Sequence, residues 1–262
     1  MQEKKSSSDV TEINVEYPEV ERPRLRISVG ACRMRIAPGD QKTLVSGTYV
    51  DPTRSVPVKI VEEGDTIRLT QEQRWSEIFG WFSGVPEFDL ALGTKMPYQL
   101  LLEAGASEHK LDLGGLPLKR LEVRHGAGKM DIDFSAANPE PMSILNLGAG
   151  AGSINVRNLA NANFDEMILE GGAAAYKLGF GGKLQRDGHV RISTGVSSVD
   201  LSIPSSTAAK LYSESVMGTV HVDKSFTKTK GAYWTEAAVA GESPALTIRL
   251  TVALGSLHLR TG

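Results

Sequence analysis

The sequence predicts an all-β protein built as a single-stranded β-helix, or β-solenoid. One short pattern, apolar-x-x-Gly/Ala-small-x-x-apolar-x-apolar, recurs about nine times in 262 residues, and a fixed period of this kind is typical of repeat architectures. Apolar and polar residues alternate within each copy, as in strands with one buried face. Copies in the core of the array lie about 22 residues apart. This spacing is too short for strand-helix-strand crossovers and suits short strands wound into coils.

Six copies of the pattern are clear and three are weaker. The clear copies are Ile27–Ile36, Leu102–Leu111, Val123–Ile132, Leu147–Val156, Leu169–Leu178 and Ile192–Leu201, and the weaker ones are Ile60–Leu69, Ser213–Val222 and Leu250–Leu259. We therefore expect about nine coils of roughly 22 residues. We also expect right-handed winding, which is the default hand of parallel crossovers.

Stacked coils bring equivalent residues of successive copies side by side. The predicted inward ladder is Met34, Ile67, His109, Met130, Ile154, Tyr176, Val199, Val220 and Leu257. The outward ladder beside it is Arg35, Arg68, Lys110, Asp131, Asn155, Lys177, Asp200, His221 and His258. From Lys110 to Asp200 no two neighbours share a charge sign, which fits stacking because like charges opposed across strands are destabilising. Gly-Ala pairs such as Gly150-Ala151 indicate bends that need small residues or positive φ.

One segment precedes the repeat and two interrupt it. Residues 1–24 are polar and charged, and we interpret them as an N-terminal tether to a solenoid domain of residues 25–262. Within the domain we place an aromatic insertion at residues 72–86 and a second insertion at residues 223–245. The final strand, Leu246–Leu259, has no evident C-terminal cap. We therefore expect an open edge there that favours edge-to-edge association.

Composition excludes several classes of protein. The 29 basic and 31 acidic residues give a net charge of −2, so no strongly positive field for nucleic acid is expected. No apolar run approaches the length of a membrane span. The single cysteine, Cys32, lies in an apolar strand and is interpreted as a buried small hydrophobe rather than a nucleophile. His221 and His258 share an outward position, but a metal site needs further ligands.

No motif predicts catalysis, a cofactor or a metal ion. Residues Leu147–Ser153 look like a dinucleotide-binding loop, but they lack its third glycine and lead into a strand instead of a helix. Asp131 and Asp133 share an outward face with Lys129 and Arg157 nearby, which is typical of a solvated strand rather than of a general acid and base. We therefore predict that the protein is not an enzyme and has no catalytic, cofactor-binding or metal-binding residues.

Two segments carry a resemblance to a bacterial family. Segments Phe88–Leu100 and Leu121–Gly128, with the repeated Gly-Ala-Gly/Ser units, resemble the toast-rack domain of unknown function. That domain is related to putative-adhesin repeats and to the C-terminal domain of LiaF-like cell-envelope stress proteins. The resemblance covers residues 25–262 and implies a β-helix-like fold on the outer side of the cytoplasmic membrane. It brings no catalytic residues, and the chain lacks the N-terminal membrane helices of LiaF-like proteins.

These observations favour a non-enzymatic, cell-envelope-associated scaffold or protein-interaction module, linked to envelope stress or adhesion. Its expected partners are a second copy or an envelope protein, and no nucleic acid. The alternatives are a self-assembling solenoid and a glycan-binding or carbohydrate-active β-helix. We expect an extracytoplasmic location through a removed signal or lipid anchor, and a cytoplasmic location is the alternative.

The aromatic insertion is the best sequence candidate for a partner-binding feature. Trp75, Phe79, Trp81 and Phe82 lie within eight residues of a chain in which 6% of residues are aromatic. Trp75, Phe79 and Phe82 have helical spacing, so a short helix could present an apolar face to a partner. The same segment could instead fold back as a cap over an open end of the solenoid. Both interpretations stay open at this point.

Overall fold

A computed structural model describes residues 10–52, 56–71 and 84–262, without the side chains of residues 214–217. The described residues form one sheet, a short 3-10 helix (Leu159–Ala162) and a short α-helix, α1 (Glu236–Val239). The strands are β1 (Val10–Glu16), β2 (Arg24–Val29), β3 (Arg33–Pro38), β4 (Thr43–Val50), β5 (Val58–Glu63), β6 (Thr66–Gln71), β7 (Glu87–Leu92), β8 (Tyr98–Asp112), β9 (Leu118–Asp133), β10 (Met142–Arg157), β11 (Phe164–Gly179), β12 (Gly188–Ile203), β13 (Ala208–Val222), β14 (Thr227–Thr229), β15 (Ala232–Trp234) and β16 (Ala245–Thr261). The predicted all-β class is confirmed.

The middle of the molecule is a stack of parallel strands in chain order. Strands β8, β9, β10, β11 and β12 pair in succession, each equivalent residue lying beside the next. The buried positions change phase midway along each strand: in β8, Leu102 and Ala104 are buried before the change, and His109 and Leu111 after it. Each strand therefore bends around a common interior, as the predicted β-solenoid requires.

The bend divides the solenoid into two walls. Residues 99–104 of β8, which pair with β2, belong to what we call the first wall. Residues 108–111, which pair with β3, belong to the second wall. One continuous apolar cluster fills the space between the walls from Ile13 to Leu259, so the core runs along the whole stack.

Backbone contacts between coils require small residues at the bend. A Cβ atom on Gly150 would lie 2.5 Å from the carbonyl oxygen of Gly126. The predicted need for small residues is therefore confirmed at this position. Positive φ occurs two residues later, at Gly152 (φ 123°), where a Cβ atom would collide with the carbonyl oxygen of Gly128.

The predicted ladders are confirmed in the middle and corrected near the ends. From Lys110 to Asp200 the outward residues pair in the expected order. Ile67 and Arg68 do not join these ladders, because β6 lies beside β2 in the first wall. The weak copy Ile60–Leu69 is an antiparallel hairpin of β5 and β6 whose turn contains a glycine with φ 61°. In the sequence, the glycine of this tight turn was therefore mistaken for the small residues of a bend.

At the N-terminal end the stacking order departs from the chain order. Strands β2 and β3 lie between β8 on one side and β6 and β7 on the other. The second wall then continues from β7 to β4 and to β1. Strand β1 occupies residues 10–16, which the sequence analysis assigned to the polar tether. That assignment was wrong for this stretch, because Ile13 and Val15 are 2% and 4% exposed and alternate with polar residues.

At the C-terminal end the last strand is not the last layer. Strand β16 lies between β12 and β13, so the predicted open edge at Leu246–Leu259 was wrong. The second insertion is the reason: residues 223–245 form β14, β15 and α1, and this excursion lets the chain return beside β12. Strand β15 pairs with β13 at Lys210 and Leu211 in the first wall.

The count of nine coils and the right-handed winding stay predictions. In the described part of the chain, no helix is both long enough and apolar enough to span a lipid bilayer.

Candidate functional site

The sequence-predicted partner-binding residues Trp75, Phe79, Trp81 and Phe82 lie outside the described residues. In the sequence, the segment that holds them lies between β6, which belongs to the first wall, and β7, which belongs to the second. Gln71 is the last described residue before this segment. Its side chain is buried and accepts a hydrogen bond from the backbone N–H of Gly30 (2.8 Å). The choice between a cap and a binding patch stays open.

A depression of about 750 Å³ lies on the first wall and is lined by many charged side chains. Six basic residues are among those that line it: Arg22, Arg24, Arg26, Arg68, Lys119 and Arg120. They come from β2, β6, β9 and the segment before β2. Because β6 stacks beside β2 out of chain order, residues far apart in the sequence meet here. We call this surface the basic depression.

Acidic side chains at the rim of the basic depression pair with most of its cations. The pairs are Arg24–Asp65 (3.4 Å), Arg26–Glu103 (2.6 Å), Arg68–Glu63 (3.3 Å), Lys119–Glu140 (3.0 Å) and Arg120–Glu122 (2.6 Å). The basic side chains of these pairs are 36–58% exposed. Asp65 and Glu63 are themselves 47% and 59% exposed. Exposed ion pairs contribute about 0–1 kcal/mol each, so an anionic partner can take the place of these two carboxylates.

Glu103 lines a second depression, of about 610 Å³, that follows the bend beside the basic depression. Its carboxylate accepts hydrogen bonds from Arg26 (2.6 Å) and Ser28 (3.1 Å) and pairs with Arg124 (3.2 Å). Partial burial raises the pKa of Glu103, but these hydrogen bonds and charges outweigh it and hold that pKa below its usual range. Glu103 is therefore an anion that orients arginines, not a proton donor.

The interior of the bend contains a cluster of Ser107, His109 and His125. The Ser107 hydroxyl lies 2.6 Å from Nε2 of His109 and 3.4 Å from Nδ1 of His125. The two imidazoles are 0% and 3% exposed. Burial, and secondarily the neighbouring His125, lowers the pKa of His109 to about 4, and burial also lowers the pKa of His125. The two imidazoles are thus buried and their pKa values lowered, whereas Ser107 is partly exposed and His125 also lines the second depression.

The outward carboxylates considered in the sequence are held by ion pairs. Asp131 pairs with Lys129 (3.2 Å), and Asp133 pairs with Arg157 (2.9 Å). Partial burial raises the pKa of Asp131, but hydrogen bonds from Asn155 and Lys129 lower it below its usual range. A general acid needs a raised pKa, so this carboxylate is suited to holding the ladder together.

His221 and His258 are neighbours, as their shared ladder position predicted. They are in register on β13 and β16, with ring centroids 5.1 Å apart. Within the described residues, no group of three or more histidine, cysteine, aspartate or glutamate side chains is arranged to hold a metal ion.

Comparison with known proteins agrees with this arrangement. The model of the N-terminal domain of toast_rack, DUF2154, matches residues 2–157, which is more than half of the 262 residues. The chain belongs to the toast-rack family. No curated protein matches it in sequence.

Three solved structures are similar to this chain along most of its length. A putative cell adhesion protein from Clostridium sporogenes is 15% identical with a TM-score of 0.51, covering 97% of this chain and 99% of its own. A putative adhesin from Bacteroides fragilis is 8% identical with a TM-score of 0.39 over 97% and 98% of the two chains. One from Parabacteroides merdae is 9% identical with a TM-score of 0.35 over 97% of each. The first of these similarities shows the fold alone.

Sequence reasoning missed two features of this toast-rack chain. The basic depression depends on β6 lying beside β2, and no local pattern encodes that pairing. A partial signal for the histidine cluster was present in the sequence, because the predicted inward ladder includes His109. His125 follows the apolar alternation of Leu121 and Val123 in β9, and this period would have placed it inside as well.

Proposed function

We propose that this toast-rack protein is a non-enzymatic interaction module of the bacterial cell envelope, acting on the outer side of the cytoplasmic membrane. The solenoid serves as a rigid scaffold that presents one surface to an envelope partner, with a role in adhesion or envelope stress. The partner is an envelope protein, and a second copy of the chain is a further partner.

The basic depression is the observation that carries the proposal. Six cations from four parts of the chain converge on one side of a continuous sheet, and the exposed ion pairs of Arg24 and Arg68 are weak enough to be exchanged. The imidazoles of His109 and His125, by contrast, are buried. The similar Clostridium sporogenes structure, named as a putative cell adhesion protein, supports an adhesion-type role. A carbohydrate-active role is not favoured, because Asp131 and Asp133 are engaged in ion pairs.

The test is binding of the labelled protein to isolated envelopes of the producing bacterium. We expect Arg24→Glu/Arg68→Glu to weaken binding at least about tenfold, and binding of the wild type to fall as salt rises. The matched control is Arg191→Glu/Arg249→Glu, which reverses two exposed arginines at the other end of the first wall. Equal loss in both variants, or no loss in either, would contradict a role for the basic depression.

The aromatic insertion is tested in the same assay with Trp81→Ser/Phe82→Ser. Lost binding with unchanged melting would make the insertion part of the docking surface. Earlier melting would make it a structural cap, as expected where a segment covers an open strand edge. Protease treatment of intact cells tests the location, and protection of the protein in intact cells would favour the cytoplasmic alternative.

A further inference from the structure

The C-terminal end of the second wall is an uncovered strand edge. Among the described residues, the second-wall half of β13, residues 218–222, pairs with β16 alone. Exposure rises along one inward ladder towards this edge, from 0% at Val199 and 1% at Leu257 to 36% at Val220. In the first wall the same end is covered by β15 and α1. The apolar interior therefore lacks one covering strand at this place.

The opposite end of the second wall offers a strand that runs in the required direction. Strand β1 is antiparallel to β4, and β4 is antiparallel to β7, which is parallel to β3 and to the stack. Two reversals make β1 parallel to β13. Within the described part of the chain, β1 pairs with β4 alone, so its other edge is also open.

The ladders of the molecule define the register of such a contact. The outward ladder that ends at His221 begins at Glu12, and the inward ladder that ends at Val222 begins at Ile13. Coaxial stacking of a second copy continues each ladder. It brings Glu12 beside His221, Ile13 beside Val222 and Thr11 beside Val220.

Each end of the molecule also has a step between its two walls. At the C-terminal end the first wall extends beyond β13 by β15 and β14, and the second wall does not. At the N-terminal end the second wall extends beyond β3 by β7, β4 and β1, whereas the first wall extends beyond β2 by β6 and β5. The protruding wall of one end therefore faces the receding wall of the other, but the step is two strands deep at the C-terminal end and one strand deep at the N-terminal end, so β14 has to move aside when β1 pairs with β13.

We propose that copies of this protein associate head to tail, with β1 of one copy pairing in parallel with residues 218–222 of β13 of the next. The contact covers Val220, completes both open edges and places the Glu12 carboxylate beside His221. Because the two surfaces differ, the contact does not close on itself and adds copies in a row. This goes beyond the proposed function, and it needs no envelope component, so either proposal can fail while the other stands.

The first test is the mass of the purified protein by sedimentation, from micromolar to millimolar concentration. We expect the wild type to grow in steps of the 28.2 kDa protomer. Val220→Lys blocks the C-terminal end and Thr11→Lys/Glu12→Lys blocks the N-terminal end, because edge lysines oppose strand addition. Each should weaken association at least about tenfold. Mixed in equal amounts, the two variants should form a dimer that grows no further.

The controls are Val196→Lys and Glu170→Lys, which place the same residue at exposed positions in the middle of the stack. Both should associate like the wild type. If Val220→Lys melts early, His221→Glu on the exposed side replaces it. That change sets a carboxylate against Glu12, and Glu12→Lys in the same chain should restore association.

Three outcomes would overturn the proposal. One is a wild type that stays at the protomer mass up to millimolar concentration. Another is a dimer of Thr11→Lys/Glu12→Lys alone, which would indicate a two-fold contact of β13 with β13. The last is a mixture of the two blocked variants that stays monomeric while the wild type associates.

Discussion

The middle of the solenoid and its two ends follow different rules of assembly. From β8 to β12 each strand stacks on the strand before it in the chain. At the ends the order is reversed: β2 and β3 lie inside β6 and β7, and β16 lies inside β13. Neighbours in the middle are fixed by a local repeat, as expected for solenoids. Neighbours at the ends are fixed by contacts between distant segments, which cost more chain entropy to form.

The largest expected effect is on a bend glycine in the middle. Gly152→Ala places a Cβ atom against the carbonyl oxygen of Gly128 at a φ of 123°, so we expect a loss of roughly 4 kcal/mol or more in the free energy of unfolding. Gly64→Ala, in the β5–β6 turn at the N-terminal end, meets no atom within 4 Å and should cost only about 1 kcal/mol. Urea unfolding measures both. Equal losses would show that the ends are packed as tightly as the middle.

The next effect compares two positions on one inward ladder. Leu257 is 1% exposed and Val220, beside it on β13, is 36% exposed. Leu257→Ala should therefore lower the free energy of unfolding by about 3 kcal/mol, and Val220→Ala by less than about 1 kcal/mol. Thermal unfolding at low protein concentration keeps association out of the measurement. A large loss for Val220→Ala under that condition would mean that the edge is already covered within one chain.

A smaller effect concerns acid stability of the middle. The pKa of His109 is lowered by burial from 6.5 to about 4, so the unfolded chain binds a proton at a pH where the folded chain does not. The free energy of unfolding should be highest above pH 6.5 and fall as the pH drops towards 4, with about 2 kcal/mol lost at pH 5. His125 acts in the same direction.

His109→Gln should flatten this pH dependence, and His189→Gln, at an exposed position, should leave it unchanged. Melting temperatures between pH 7 and pH 4.5 make the comparison. An unchanged slope in His109→Gln would show that other groups govern acid stability.

The contrast between middle and ends also explains what the sequence could predict. Ladder neighbours such as Met130 and Ile154 follow from their spacing of 24 positions in the sequence and are paired in the structure. The hairpin of β5 and β6 was mistaken for a coil because a glycine turn between apolar residues imitates a bend. Strand β1 was not recognised as part of the core, because acidic residues lie on either side of Ile13 and Val15 in the sequence.

The candidate site was less predictable than the fold. Arg24 and Arg68 are 44 residues apart in the sequence, and they meet only because β2 and β6 pair in parallel. The chain contains no repeat that specifies this pairing, since β6 belongs to the irregular end. The prediction that rests on Trp75, Phe79, Trp81 and Phe82 stays a prediction.

The position of β16 has a consequence for how the protein is made. A chain that emerges from the ribosome or an export channel N-terminus first presents β13 before β16, and domains begin to fold as they emerge. Strand β13 can reach its native neighbour only after Ala245–Thr261 has appeared. Until then the exposed edge of β12 can pair with β13, which has a similar alternating pattern, or stay unpaired. Correct synthesis of this molecule therefore depends on the order and timing of its last two long strands.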